Sequence, residues 1–264
     1  MSTSTAVLIP VYKRLNQLSE SEEALLKKVS AVLGNHDLFL GLHNDLLDQY
    51  KSYTDYELIT FDSKYFGSKN RYNKLLATSE FYKTFIQYDY LQIIQLDCWI
   101  FEDRLNEFCS LELDYIGAPW MENSLEGAPR KRLWKTGNGG FSLRKIDKFL
   151  SIIDQINCSP KGKIPVFKFP YRSIVQFLKN FGFRNNLKHY LKGAPAEDIF
   201  WSIYVPKVFS PEDFKIAEPS TAAHYSFEVR PSYLFSEVTG GKLPMGCHNW
   251  INNEPEFWAS HISL

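Results

Sequence analysis

The sequence lacks an excess of charge of either sign. Its 264 residues include 30 basic and 30 acidic side chains, so the formal net charge at neutral pH is zero. Proteins that bind nucleic acid usually carry a basic excess, because neutralising the phosphate backbone supplies much of their affinity. The charge balance therefore argues against a nucleic-acid partner.

Cysteine is scarce, and its spacing is wide. The four cysteines are Cys98, Cys109, Cys158 and Cys247, and they form no CxxC pair. A zinc site or a small disulfide framework needs closer pairs. We therefore expect free thiols in a reducing compartment.

Long hydrophobic runs are also missing. No segment approaches the roughly 18 continuous apolar residues that span a membrane. The apolar run at residues 6–11 is too short for the core of a signal peptide and has no basic leader. The sequence thus predicts a soluble, cytoplasmic protein. A peripheral membrane contact is the alternative, because residues 177–192 mix aromatic and leucine side chains with basic ones.

Several catalytic motifs are absent. The chain has no GxSxG nucleophile elbow, no GxxxxGK[ST] phosphate loop and no GxGxxG dinucleotide motif. These absences argue against an esterase-type hydrolase, a phosphate-loop nucleotidase and a dinucleotide-dependent enzyme.

What the chain does contain is an alternation of short apolar runs and amphipathic segments. We predict strands at residues 6–9, 37–42, 56–61, 90–96 and 114–120. We predict helices from Ser19 or Ser21 to about Leu33, over residues 72–85, and from Glu197 onward. This alternation predicts an α/β fold with a mainly parallel central sheet flanked by helices. Without repeats or linkers, residues 1–264 are expected to form one domain.

A parallel sheet would place several polar residues at one edge. Ligands bind beyond the carboxyl ends of such strands, so residues 10–12 and Asp97 are expected to lie together. Residues 122–135, by contrast, are predicted to form a polar loop.

Asp97 ends the apolar run at residues 91–96. A divalent cation on this carboxylate could bridge two phosphates, or Asp97 could simply cap a following helix. A glycine-dense turn, Gly137-Asn138-Gly139-Gly140, lies downstream and would let the backbone pass close to a ligand.

A second pair of acids, Glu197 and Asp198, opens a predicted helix. Acids in a first helical turn complement the helix dipole, which is the structural interpretation. In the functional interpretation Asp198 is a general base that deprotonates a hydroxyl, with Glu197 as the alternative base.

His248 follows three nearby glycines in an aromatic C-terminal stretch that we expect to be flexible and to fold over a cleft. An imidazole beside a carboxylate and diphosphate oxygens can bind Mn²⁺. His224 is a weaker candidate ligand, and the thiol of Cys247 is disfavoured because it selects softer metals.

Together these strings resemble the bacterial DUF5672 family of glycosyltransferase-like proteins of surface-polysaccharide synthesis. The resemblance rests on PVYK at residues 10–13, YNKL at 72–75, QLD at 95–97, DYIGAPW at 114–120, GNGGFSLR at 137–144, ED at 197–198 and GCH at 246–248. A more distant similarity extends to inverting glycosyltransferases of the GT-A fold.

The resemblance implies a role for each matched residue. Asp97 and His248 would bind Mn²⁺ or Mg²⁺, and Asp198 would be the catalytic base. Residues 1–120 would bind the nucleotide and residues 121–264 the acceptor. The implied donor-binding residues are Pro10, Val11, Tyr12, Tyr72, Asn73, Gln95, Asp97, Gly137, Asn138, Gly139 and Gly140. Gln95 stands where the metal motif usually has an acid, so metal independence is the alternative.

The expected function is transfer of a sugar, with inversion, from a nucleotide-sugar donor to a glycan or lipid-linked saccharide. Two alternatives remain open at this point. One is a carbohydrate-binding protein that has lost catalysis, and the other is a nucleotide-sugar hydrolase or phosphotransferase that uses the same metal site.

Overall fold

A six-stranded sheet forms the centre of the computed structural model, which describes residues 3–122, 132–158, 178–179, 181–193 and 196–264. The strands are β1 (Thr5–Pro10), β2 (Asp37–His43), β3 (Glu57–Phe61), β4 (Tyr90–Ile94), β5 (Cys98–Ile100), β6 (Tyr115–Ile116), β7 (Pro119–Met121), β8 (Leu133–Thr136), β9 (Phe141–Lys145), β10 (Ser226–Phe227) and β11 (Gly246–His248). Most of the predicted polar loop at residues 122–135 lies outside the described residues.

Eleven helical segments are described. They are α1 (Glu20–Leu33), α2 (Leu47–Tyr50), α3 (Lys69–Leu75), α4 (Ser79–Lys83), α5 (Leu105–Ser110), α6 (Ile146–Cys158), α7 (Leu187–Gly193), α8 (Glu197–Ile199), α9 (Pro219–Tyr225), α10 (Pro231–Tyr233) and α11 (Pro255–Trp258). Short 3-10 turns cover Leu15–Gln17, Asn44–Leu46, Ser63–Tyr65 and Val205–Lys207, and π-turns cover Phe200–Tyr204 and Leu234–Val238. No helix within the described ranges is long and apolar enough to cross a bilayer.

The central sheet has the order β3-β2-β1-β4-β9-β6. The first four strands in this order are parallel, and β9 runs antiparallel to both of its neighbours. The prediction of an α/β fold with a mainly parallel sheet is therefore confirmed. Two smaller sheets, β10-β11-β5 and β7-β8, accompany it.

Every residue of β1 is buried, as expected for a strand covered on both faces by core. Val7 and Ile9 join one hydrophobic cluster, whereas Ala6 and Leu8 join another. Successive side chains of a strand point to opposite faces, so this alternation places one core on each side of the sheet.

Helix α1 begins where its capping residues predict. The Ser19 hydroxyl accepts a hydrogen bond from Glu22 N at 3.3 Å, and the Glu22 carboxylate accepts one from Ser19 N at 2.9 Å. This reciprocal pair satisfies two amides that a helix start leaves unpaired. Of the two predicted caps, Ser19 is therefore the one that is used.

The single helix predicted at residues 72–85 is wrong, because α3 and α4 are separate. Thr78 lies between them, and its hydroxyl donates to Leu75 O at 2.7 Å and accepts from Phe81 N at 3.3 Å. A threonine hydroxyl that bonds the local backbone competes with a continuous helix and caps a new one. The break follows from that competition.

Two further predictions are corrected. The strand predicted at residues 114–120 divides into β6 and β7, which belong to different sheets. The stretch around His248, predicted to be flexible, contains β11, which pairs with β5 and β10. In the described part of residues 177–192, Leu187 and Leu191 are buried, and Phe183 is exposed.

Candidate functional site

The candidate site lies beyond the carboxyl ends of β1 and β4. Pro10 and Val11 are buried, whereas the Tyr12 side chain is 59% exposed. Partial burial and the charge of Asp97 both raise the pKa of Tyr12, although Lys13 opposes them. Tyr12 and Asp97 therefore share this edge, and Tyr12 is the exposed member of residues 10–12.

The glycine-dense turn is tied directly to the end of β4. The carbonyl oxygen of Gly140 accepts hydrogen bonds from Gln95 N at 2.8 Å and from Cys98 Sγ at 3.2 Å. The Asn138 side chain accepts one from Gly140 N at 2.7 Å. These bonds bring the turn beside Asp97, as the predicted edge site requires.

Residues 115–120 support this turn from behind. The Tyr115 hydroxyl donates to the carbonyl oxygen of Asn138 at 3.1 Å. A Cβ atom added to Gly117 would overlap the carbonyl of Gly137, and one added to Gly137 would overlap the Trp120 indole. Thus the DYIGAPW string packs against the GNGG string, although they belong to different elements.

His248 is held between two carboxylates. Its Nε2 lies 3.3 Å from Asp97 Oδ1. Its Nδ1 lies 3.0 Å from Glu228 Oε1 and 2.8 Å from the side-chain nitrogen Nδ2 of Asn138. Burial lowers the pKa of His248, but the neighbouring carboxylates of Asp97 and Glu228 outweigh it and raise the pKa to about 9. Burial alone would raise the pKa of Asp97, yet the bond and charge of His248 lower it.

Strand pairing explains how these residues meet. His248 of β11 is the register partner of Cys98 in β5, and Asn249 N donates to the carbonyl of Asp97 at 2.8 Å. Glu228, which directly follows β10, was not identified from the sequence. The available signal was a carboxylate directly after a short apolar run.

Glu197 lies behind the site in a buried ion pair. Its Oε1 is 2.8 Å from Arg144 Nη2, and both side chains are almost fully buried. Arg144 also donates to the Tyr82 hydroxyl at 3.0 Å and to Ser142 Oγ at 3.1 Å. Burial raises the pKa of Glu197, and the nearby Arg144 limits that rise without cancelling it.

Asp198 is half-buried in the first turn of α8, and its Oδ1 accepts a hydrogen bond from Ile199 N at 2.8 Å. Burial raises the pKa of Asp198 and the charge of Glu228 adds to the rise. The N–H groups of Ile199 and Gly139 lower it in part. Asp198 therefore lies in the region of Gly139 and Glu228.

Lys69, at the start of α3, was also not identified from the sequence. Its charge lowers the pKa of Asp97, of Glu197 and of Asp198, so Lys69 contributes positive potential to this region. Lys69 is exposed, which leaves it accessible to a ligand.

The remaining predicted donor-binding residues border the same region. Asn73 is buried within α3, and Gln95 is half-buried after β4. The Tyr72 hydroxyl is buried and faces Gln95, without a hydrogen bond of good geometry in the described structure. The Gln95 side chain thus lies toward Tyr72.

Asp97 and His248 fit a divalent metal. The Asp97, Cys98 and His248 ligand atoms all lie within 4.8 Å of one another. His248 Nε2 is buried without a well-formed hydrogen bond in the described residues, while Glu228 orients the other nitrogen, as is common for metal-binding histidines. Cys98 does not fit, because burial raises the pKa of its thiol well above the usual range.

The two weaker metal candidates lie outside this cluster. The His224 carbonyl accepts a hydrogen bond from Arg104 at 3.1 Å, and His224 is not among the clustered ligand atoms. Burial raises the pKa of the Cys247 thiol well above its usual value, and successive strand residues place it on the opposite face from His248.

A family model described as "Protein of unknown function (DUF5672)" matches residues 55–248. No curated protein sequence matches the chain. Among solved structures, the fold is similar to a glycosyltransferase involved in glycosylation of the major capsid of PBCV-1, at 10% identity and a TM-score of 0.45, over 96% of each chain. It is similar to mouse xyloside xylosyltransferase 1, at 12% identity and a TM-score of 0.46, over 93% of this chain and 97% of that one. It is also similar to the glycosyltransferase GlyE of Streptococcus pneumoniae TIGR4, at 14% identity and a TM-score of 0.46, over 99% of this chain and 57% of that one.

Proposed function

This chain belongs to the DUF5672 family, and we propose that it is an inverting glycosyltransferase. It would move a sugar from a nucleotide-sugar donor to a glycan or lipid-linked saccharide acceptor in surface-polysaccharide synthesis. The observation that carries this proposal is the convergence of Asp97, His248 and Asp198 around Gly139 and Gly140. That set combines a metal-binding pair with a separate carboxylate base beside one accessible edge of the sheet.

Asp97 and His248 would hold Mn²⁺ or Mg²⁺, and Glu228 would fix the orientation of the imidazole. When bound, the metal neutralises negative charge on the departing diphosphate. Lys69 would contribute a second positive charge toward the same phosphates. Two protein ligands leave the remaining coordination positions to diphosphate oxygens and water.

Asp198 would act as the general base. Its carboxylate accepts the proton of an acceptor hydroxyl, whose oxygen bonds the anomeric carbon as the bond to the diphosphate breaks. Burial raises the pKa of Asp198, and a raised pKa makes this carboxylate a stronger base. The ion pair with Arg144 supports a positioning role for Glu197 instead, because a base must reach the substrate.

The donor would lie across the edge formed by residues 10–12 and the glycine turn. Tyr12 offers an exposed ring for stacking on the nucleobase, with Pro10 and Val11 forming the wall behind it. Tyr72, Asn73 and Gln95 would border the ribose or sugar. Residues 137–140 would shape the sugar pocket.

A melting experiment tests the donor half of this proposal. Purified protein and its Asp198→Asn variant are heated with UDP, GDP, dTDP and CMP sugars, each with Mn²⁺ or with EDTA. A ligand that binds only the native state raises the melting temperature, so one nucleotide class should stabilise both proteins and EDTA should remove the shift. Asp198→Asn should then retain the shift and lose transfer.

Three other results would each contradict a part of this proposal. Full turnover by Asp198→Asn would exclude Asp198 as the base. A shift that survives EDTA would remove the metal from the proposal and keep the transferase. Stabilisation by none of the donors would contradict the transferase and favour a carbohydrate-binding protein.

A further inference from the structure

Apart from the candidate site, a cavity lies beside the helical segment that carries the proposed base. Its volume is about 340 Å³, within the range of small-molecule sites. Trp134 and Thr136 of β8 line one side, and Ser202 lines the other. Ser202 follows Asp198 by four residues along the helical segment that begins with α8, which is about 6 Å along a helix axis.

Trp134 presents an aromatic face to this cavity. The side chain is 45% exposed, and its ring stacks on that of Trp120 with centroids 6.2 Å apart and planes inclined by 29°. Trp120 is itself packed over Gly137. The exposed indole is therefore held against the glycine turn of the candidate site.

Two buried hydroxyls in the cavity wall are unpaired. Thr136 Oγ1 and Ser202 Oγ have no hydrogen-bond partner among the residues that the structure describes, and each residue is 2% exposed. Leaving a buried hydroxyl unpaired costs free energy. Both residues line the cavity, and each side chain has more than one staggered χ1 position open to it. A ligand rich in hydroxyl groups would then satisfy both.

The charge of the lining selects against an ionic ligand. Lys135 and Glu218 are its two charged residues, and their charges cancel. An aromatic face, two hydroxyls and no net charge match a neutral sugar ring, whose apolar C–H face packs on an indole and whose hydroxyls form hydrogen bonds.

We propose that this cavity binds a neutral saccharide ring of the acceptor. Trp134 packs beneath the ring, Thr136 and Ser202 bond its hydroxyls, and a further hydroxyl reaches toward Asp198. This inference rests on the proposed function, since it supplies the acceptor side of the same transfer.

The test compares four variants with the unaltered protein. Trp134→Ala removes the ring, Trp134→Phe keeps a smaller one, and Ser202→Ala removes one hydroxyl. Phe183→Ala is the matched control, because Phe183 is 48% exposed and lies outside the cavity. Binding of the methyl glycosides of glucose, galactose, mannose, rhamnose and N-acetylglucosamine is measured by calorimetry, and the melting shift with each nucleotide sugar is measured alongside.

We expect at least one glycoside to bind the unaltered protein and the Phe183→Ala variant equally. Trp134→Ala should weaken that binding about tenfold, with Trp134→Phe intermediate. The nucleotide-sugar shift should be the same in every variant. With a donor identified, Trp134→Ala should raise the KM for the glycoside acceptor, and the control Phe183→Ala should leave that KM unchanged.

Other outcomes separate this inference from the proposed function. If no glycoside binds, or if binding is insensitive to Trp134, the acceptor cavity is overturned even when nucleotide sugars still stabilise the protein. If a glycoside binds through Trp134 but no nucleotide sugar stabilises the protein, the cavity is a saccharide site and the transferase proposal fails.

Discussion

At Gly139 and Gly140, other side chains occupy the space that a side chain of either residue would need. A Cβ atom on Gly139 would overlap the Glu197 carboxylate, and one on Gly140 would overlap the His248 imidazole. Neither glycine has a positive φ, whereas Asn138 between Gly137 and Gly139 has a φ of 67°. Close approach, not unusual backbone conformation, is therefore the reason for glycine at positions 139 and 140.

Gly140→Ala should displace the His248 ring from Asp97. We expect the variant to lose the EDTA-sensitive part of the donor-induced melting shift while remaining folded. Gly193→Ala is the control, because among the described residues no atom lies within 4 Å of a Cβ there and its φ is not positive. Unchanged metal dependence in Gly140→Ala would contradict this account of the turn.

The pH dependence of transfer should report Asp198. The base must be ionised, and burial and Glu228 raise its pKa above the ordinary aspartate value of 3.8. The value of kcat/KM should therefore fall, as the pH is lowered, at a pH above that value. Glu228→Gln removes one negative neighbour and should move the acidic limb to lower pH. If Glu228→Gln leaves the acidic limb of the kcat/KM profile at the same pH, that limb does not report Asp198 as the base.

At the scale of elements, the pair formed by Arg144 and Glu197 joins β9 to α8. The guanidinium is bonded to Tyr82 of α4 and Ser142 of β9 as well, so three elements converge on one buried cation. Because Asp198 follows Glu197 directly, this cluster sets where the proposed base lies. The carboxylate of Glu197 reaches its partner only because position 139 has no side chain.

Breaking this buried pair should be costly. Arg144→Met leaves Glu197 buried without its partner, so we expect the free energy of unfolding to fall by about 3–5 kcal/mol in urea denaturation. The double variant Arg144→Met/Glu197→Gln should recover part of the loss, since no unpaired charge remains. Lys51→Met, which removes an exposed ion pair with Asp48, is the control and should leave stability nearly unchanged. If Arg144→Met and Lys51→Met lower the free energy of unfolding equally, the buried pair of Arg144 and Glu197 has no special role in stability.

At the scale of the whole molecule, the two sequence halves are interleaved. Strand β9 lies between β4 and β6, and β11 pairs with β5, so strands from residues 121–264 complete sheets begun by residues 1–120. The proposed division into a nucleotide half and an acceptor half therefore describes binding surfaces, not separate folding units.

This interleaving predicts one cooperative transition. Calorimetric and van't Hoff enthalpies of unfolding should agree, as expected for a two-state domain. A fragment of residues 1–120 should not melt cooperatively, because the edge of β4 that pairs with β9 would be uncovered. Two resolved transitions in the full chain, or a stable fragment, would show independent units.

Several elements could be predicted because their signals are local. The strands β1 to β4 appear as apolar runs, and Ser19 with Glu22 marks the start of α1. The break at Thr78 was not predicted, because the hydrophobic pattern continues from α3 into α4. Lys69 was missed because no nearby residue marks its part in the site, and the signal for Glu228 was only its position directly after a short apolar run.

The sequence by itself determined the α/β class and the parallel strands β1 to β4, and it supplied most of the residues proposed for the candidate site. Apolar periodicity and helix capping act over a few neighbouring positions, so a single chain displays them. Only the tertiary structure decided that His248 lies between Asp97 and Glu228, that Arg144 pairs with Glu197, and that Trp134, Thr136 and Ser202 share a cavity. These contacts join residues distant in the chain, and strand order and register bring them together.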